Sequence, residues 1–229
     1  SDPEVLLPER RQRLQNPDRV PGARLRSSLH TLQRLAAIAA YDEGECNEVI
    51  SAMSGTIQVP TLRLNSLVLR PPFDRPDWDD LLDKLPVEIE ESWRMTTEER
   101  RGVEQGGDDT FARWSMFLVE RMHRAGVPIA AGTDTPISFA APGYSLHSEL
   151  EMLVQAGFSP MEALRSATQR PAEFFGLTSE MGTVEEGRLA DLVLLSRNPL
   201  DDIGNTRSIE AVISKGVLLS RNALDGLVR

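Results

Sequence analysis

The apolar run Val127 to Ala131 stops abruptly at Gly132-Thr133-Asp134, and that aspartate is the residue of this sequence best placed to do chemistry. A carboxylate at the end of a buried strand can bind a divalent metal, take a proton from metal-activated water, or do both. It can equally cap the next helix or close a salt bridge in its own loop, and the local pattern leaves these readings open. Gly132 lets the backbone pass close to a neighbour or ligand, and Thr133 can hydrogen-bond locally and orient the carboxylate. Three histidines are available to work beside Asp134. His147 stands at the start of the next helix, where it could face the same mouth or pack on a neighbouring loop. His123 lies in the last helical turn before Gly126, where a cation complements the helix dipole. His30 sits beside an apolar helical stripe and reads as a surface or satisfied histidine. No HxH, HExxH, GxSxG or glycine-rich phosphate loop occurs, and Cys46 has no nucleophile context.

The elements that must position Asp134 alternate. Residues 1–23 are rich in Arg, Pro and Asp and read as an irregular arm with one turn of helix. Leu25, Leu29, Leu32, Leu35 and Ile38 recur at threes and fours, which predicts a helix. A second helix is expected from Asp42 to Met53, stopped by Ser54-Gly55, and a short strand from Ile57 to Leu62. Residues 71–107 form a long acidic excursion with at least one helix, placed after the strand and able to act as a lid. "TFARWSMFLVERMHRAG" is an amphipathic helix closed by Gly126, and Val127 to Ala131 is the next strand. Two helices follow. Ser145 or Ser148 caps "LHSELEMLVQAG", and Ser159-Pro160 with Glu162 forms a capping box for "SPMEALRSAT". Pro171 starts a further short helix. The tail changes character: a turn then a buried strand in "GTVEEGRLADLVLLSRNPL", then strand, Lys215-Gly216 turn and strand in "IEAVISKGVLLSR". The alternation of strand and helix implies parallel strands, whereas the tail hairpin belongs to a small β unit.

Composition bounds the function. With 229 residues the chain suits one large domain or a domain plus an appendage, and 40% hydrophobic content supports a core. The net charge of −10 argues against nucleic acid or an anionic membrane as a general partner, since both require a basic face. The basic stretch of Arg10, Arg11, Arg13, Arg19, Arg24 and Arg26 reads as a solvated helix face. No apolar run is long enough to span a bilayer, and the N-terminus, which begins without Met, has no signal-peptide core. A single cysteine, Cys46, excludes an intrachain disulfide and a thiolate metal cluster, and fits a cytoplasmic, reducing compartment.

Four segments taken in order resemble the amidohydrolase superfamily, nearest its imidazolonepropionase-like and prolidase-like branch: "AGVPIAAGTDT", "PGYSLHSELEMLVQAGFSPMEALRSATQRPAEFFGL", "GTVEEGRLADLVLLSRNPLDDI" and "IEAVISKGVLL". The resemblance covers about residues 54 to 219, with "GTIQVPTL" similar to the seventh barrel strand and "GVPIAAGTD" to the eighth. It implies an α/β fold, the C-terminal part of a (β/α)8 TIM-type barrel over 1–179, plus part of a small β-sandwich over 180–229. It implies one or two divalent ions, zinc above all, and hydrolysis of an amide, dipeptide or cyclic amide C–N bond by metal-activated water. Asp134 takes the role of the eighth-strand aspartate, contacting the metal and carrying the proton from water to leaving amine. His147 becomes a substrate-binding or supporting residue, with Tyr144 and Thr135 as further substrate contacts. The family's HxH pair, its fourth-strand lysine or glutamate and its two later histidines have no match here. The resemblance therefore implies that Ser1 lies just after the sixth strand and that those ligands are upstream.

Two functional readings follow. In one, the chain is the C-terminal part of a metal-dependent amidohydrolase acting on a small-molecule amide or dipeptide. The isolated chain is then inactive, and its partner is the missing N-terminal barrel half or a second copy in a homo-oligomer. In the other, it is a non-catalytic truncated homologue that pairs with another chain through exposed strand edges.

Overall fold

Two extended segments meet where the sequence places its strands. Gln58 bridges Ile129 in parallel register: the Gln58 amide donates to the Pro128 carbonyl at 2.8 Å, and the Ala130 amide donates to the Gln58 carbonyl at 2.9 Å. The pairing is a single bridge, so each segment is extended backbone with one neighbour rather than a full ladder. Gly132 has the tight approach that its residue type suggests, because a Cβ there would collide with the Val59 side chain.

The computed structural model describes residues 8, 11, 12, 15, 33–65, 67–101, 108–137 and 139–227. The arm over 1–23, apart from those isolated positions, the first part of the Leu25–Ile38 helix and His30 lie outside the described residues. The chain divides into two compact units, Ser1–Ala52 and Met53–Arg229. In the first unit residues 33–39 are helical and α1 spans Glu43–Ala52, with the Asp42 carboxylate accepting from the Glu45 amide at 2.9 Å.

In the second unit the extended segment ends earlier than expected. Leu62 opens a one-turn helix, α2 (Leu62–Asn65), instead of closing a strand. Pro60 cannot donate to a ladder, and Thr61 turns left-handed at φ 50, so the chain leaves the strand direction there. The acidic excursion folds as a 3-10 turn (Pro72–Asp74), α3 (Trp78–Leu82) and α4 (Val87–Arg101). α5 (Thr110–Arg124) follows, with Gly126 at φ 76 just beyond it supplying the left-handed stop.

α6 spans Tyr144–Gln155 and starts one residue before the serine proposed to cap it. Gly143, at φ 75, occupies the cap position without a side-chain bond, and Ser145 and Ser148 lie inside the helix. Pro142-Gly143 supplies a backbone reversal that no serine cap is needed to start. α7 (Pro160–Ala167) has the capping box in full: Ser159 Oγ accepts from the Glu162 amide and Glu162 accepts from the Ser159 amide. α8 runs Gln169–Phe174, two residues ahead of Pro171. The core joins Leu62 and Ile129 to Val119, Leu150, Leu153, Phe158 and Ile203, tying α2 and the 127–131 segment to α5 and α6.

The tail makes a three-stranded antiparallel sheet, β1 (Leu192–Leu195), β2 (Ile209–Ser214) and β3 (Val217–Ser220), in the order β1-β2-β3. Lys215 and Gly216 turn the β2–β3 hairpin with φ of 50 and 80, the double left-handed geometry that tight hairpins favour. A 3-10 turn (Ile203–Arg207) precedes β2, and α9 (Arg221–Leu227), unmarked by any apolar period in the sequence, ends the described chain. β1 is not buried as expected: Val193 is 57% and Leu194 62% exposed. The strand is apolar on both faces and this chain covers neither fully. No helix of the described residues is long and apolar enough to cross a membrane.

Candidate active site

Asp134 stands exposed in the loop that follows the 127–131 segment, with a left-handed backbone of φ 52. An aspartate tolerates that region better than most residues, and the turn directs the chain away from the strand at once. Its carbonyl accepts from the Ile137 amide at 3.3 Å, and the Thr135 hydroxyl donates to the Ala140 carbonyl, so the loop is closed on itself. Phe139 then inserts among Phe73, Trp78 and Trp93 of the excursion, with ring centroids 6.0, 5.6 and 5.5 Å away. The excursion is thus a fixed buttress under the Asp134 loop rather than a detached lid.

The side chain that senses Asp134 is Arg63, buried at the start of α2. Burial lowers its pKa, and the carboxylates of Glu149 and Asp134 oppose that by favouring the charged form. Arg63 is held from behind. Glu149, fully buried on α6, accepts from the Leu62 amide at 3.0 Å and the Arg63 amide at 2.7 Å. One carboxylate therefore caps the first turn of α2 in the way a side chain satisfies orphan helix donors. Burial pushes the Glu149 carboxyl up to about 7, against the pull of those two amides and of Arg63.

A second cluster lies between the excursion, α6 and the 203–207 turn. Glu151 accepts from Arg75 Nη1 at 2.9 Å and from Arg207 Nε at 3.2 Å. Tyr144 donates its hydroxyl to Asp77 at 2.9 Å, and the Arg207 guanidinium lies 4.6 Å over its ring. Burial and the bond to Asp77 push the Tyr144 hydroxyl up to about 12, which leaves it a neutral donor. His147 Nδ1 is 2.9 Å from Thr206 Oγ1, and that hydroxyl already donates to the Ile203 carbonyl. The hydroxyl has one proton, so His147 donates from Nδ1 and keeps its lone pair on Nε2. Burial, then the Arg207 charge, lowers the imidazole to about 4.

The sequence-derived residues accordingly fall into two places. Asp134 and Thr135 share one loop, whereas Tyr144 and His147 belong to the arginine-rich cluster. No hydrogen bond or ion pair among the described residues joins Asp134 to Tyr144 or His147. Sequence reading missed Glu149 and Arg63. Glu149 had a signal: it falls in the stripe of Leu146, Leu150 and Leu153, where a carboxylate must find a buried partner. Among the described residues no group of three or more His, Cys, Asp or Glu is placed to hold a metal ion. A catalytic zinc takes about three protein ligands, so Asp134 by itself does not hold one.

Comparison with known proteins gives a consistent picture. The model of the amidohydrolase family matches residues 113–219. Ochratoxinase of Aspergillus niger is 40% identical over 82 residues, which is 35% of this chain and 16% of that protein. Imidazolonepropionase of Symbiobacterium thermophilum is 37% identical over 78 residues, 33% of this chain and 18% of that one. The crystal structure of A. niger ochratoxinase superposes with a TM-score of 0.51 at 26% identity, covering 78% of this chain and 34% of that chain. The matched sequence stretches span less than a fifth of these curated relatives, and the structural match about a third of the ochratoxinase chain. Such neighbours imply a TIM-barrel-type fold, of which the described residues form helices, one parallel bridge and a three-stranded sheet.

Proposed function

We propose, for a chain that belongs to the amidohydrolase superfamily, that it supplies the catalytic aspartate of an enzyme hydrolysing the amide-type bond of a small molecule. The observation that carries this reading is the placement of Asp134: exposed, and directly after a segment paired in parallel with its neighbour. That is the strand end at which β/α barrels carry their chemistry. Asp134 takes a proton from the attacking water and returns it to the departing nitrogen. The segments 57–60 and 127–131 are the seventh and eighth barrel strands in this reading, residues 1–179 the barrel part and 180–229 part of a β-sandwich.

The family is generally metal-dependent. The described residues offer one ligand of such a set, and we place the others outside this chain, on a preceding segment or a second subunit. Dipeptides and cyclic amides are the substrate class to test first.

The test uses the complete assembly. Asp134→Asn should lower turnover of an amide or dipeptide probe by about 10²–10⁴-fold, the usual worth of a positioned general base. The melting temperature should stay within a degree or so, since Asp134 is exposed. Undiminished turnover in the variant removes Asp134 from the mechanism, and an assembly inert toward every amide probe removes the reading.

A further inference from the structure

Guanidinium groups gather around one small cavity. It has a volume of about 40 Å³ and is walled by Arg63, Arg70, Arg75, Tyr144, Ser148 and Glu151, among others. On this measure a water needs at least about 10–15 Å³, so there is room for a group of a few heavy atoms. Of the three arginines that line it, Arg70 and Arg75 share one carboxylate, Glu151, whereas the charge of Arg63 is favoured by Glu149 and Asp134. Glu151 is further shared with Arg207 at 3.2 Å, and Asp77 only partly compensates, lying 3.3 Å from Arg75 and 4.0 Å from Arg207.

The donors are not used up. Arg75 uses Nε on Asp77 and Nη1 on Glu151, and Tyr144 also lies within reach of its guanidinium. Arg70 makes one contact, an ion pair of 3.5 Å to Glu151 with no hydrogen bond, and its side chain is 48% exposed. Ser148 Oγ accepts from Arg207 Nη2 at 3.0 Å, so its own proton remains to be given. A network built only for stability would match donors to acceptors, and a half-exposed pair such as Arg70–Glu151 adds little to it. Forked guanidinium donors with a hydroxyl around a small void suit the lone pairs of an oxyanion.

We propose that this cavity is a binding site for a small oxyanion, a carboxylate or phosphate group, held by Arg70 and Arg75 with the Ser148 hydroxyl. Arg63 lines the same cavity, and Asp134 is one of the carboxylates that favour its charge. An acidic group on a substrate and a free inorganic ion share this chemistry. The site stands without the hydrolase reading, because its occupancy is measured by binding alone.

The experiment is thermal unfolding of the full chain with sodium phosphate, sodium acetate or sodium chloride at matched ionic strength. Phosphate and acetate raise the melting temperature saturably above chloride. A stronger response to phosphate assigns a phosphate group, and an equal or stronger response to acetate a carboxylate. Equal responses to all three salts overturn the proposal. Arg70→Gln should weaken anion binding about tenfold or more, the usual worth of a charge-assisted hydrogen bond. Undiminished binding in that variant overturns the site. Should Arg70→Gln not fold, Glu151→Gln decides instead: removing the competing carboxylate tightens the anion several-fold, and unchanged affinity again overturns the proposal.

Discussion

Glu149 is the residue on which local order around the candidate site turns. Its ordinary pKa is 4.5 and the folded value is about 7. Between those limits the folded protein keeps a proton that the unfolded chain has lost, so stability falls as pH rises. The two and a half pH units correspond to about 3 kcal/mol. His147 works in the opposite direction. Its folded value near 4 lies below the ordinary 6.5, so the unfolded chain binds the extra proton and stability falls as pH drops through that window. The two slopes oppose each other between pH 4.5 and 6.5. Urea unfolding across that range should show a shallow pH dependence in the wild type. Glu149→Gln should leave only the rise with pH that His147 causes. His147→Gln should leave only the fall that Glu149 causes. Identical pH profiles for wild type and Glu149→Gln would mean that the buried carboxyl is not perturbed. At this scale the sequence showed where chemistry could occur, Asp134, but not what holds its neighbourhood. Glu149 meets Leu62 and Arg63 across a long stretch of chain, and no spacing rule records that encounter.

At the scale of elements, the excursion after the first extended segment governs the Asp134 loop. Trp93 of α4 stacks on Trp78 of α3 at 6.0 Å and 10°, and both meet Phe139 edge-on. Trp93→Ala should destabilise the second unit by about 3 kcal/mol. It should also speed hydrogen exchange at Ile137 and Ala140, whose amides close the Asp134 loop. Exchange in α7, which has its own capping box, should change no more than the global loss of stability requires. Unaltered exchange at Ile137 and Ala140 would detach the excursion from the loop. The same elements show what a sequence carries locally. The Ser159–Glu162 box, the Gly126 stop and the Lys215-Gly216 turn each depend on a few consecutive residues, and all were legible. The early end of the 57–61 segment depends on Thr61 adopting φ 50 with Glu149 waiting to accept two amides. The start of α6 depends on Gly143 in place of a serine. Both are set by tertiary partners or by backbone geometry that a serine-cap rule does not contain.

For the whole molecule, the sheet poses the largest physical demand. Its register puts Leu192, Leu194, Ala211, Ile213 and Leu218 on one face and Val193, Val212, Val217 and Leu219 on the other. A sheet apolar on both faces is built for cover on both, yet Leu194, Val193, Val217 and Leu218 are each more than half exposed. Surface of this kind drives association whenever a second apolar surface is within reach. The chain alone should therefore self-associate with rising concentration in sedimentation velocity and bind a hydrophobic dye. Val193→Thr with Leu218→Thr removes one exposed apolar side chain from each face and keeps strand preference through the β-branched threonine. The double variant should associate more weakly while its melting temperature moves by only a degree or two, because exposed side chains seldom contribute more than about 0.5 kcal/mol each. A chain that stays monomeric at every concentration and binds no dye would show that the sheet satisfies itself. Association that persists unchanged in the double variant would shift the contact to Phe174 and Phe175, the exposed aromatic pair at the end of α8.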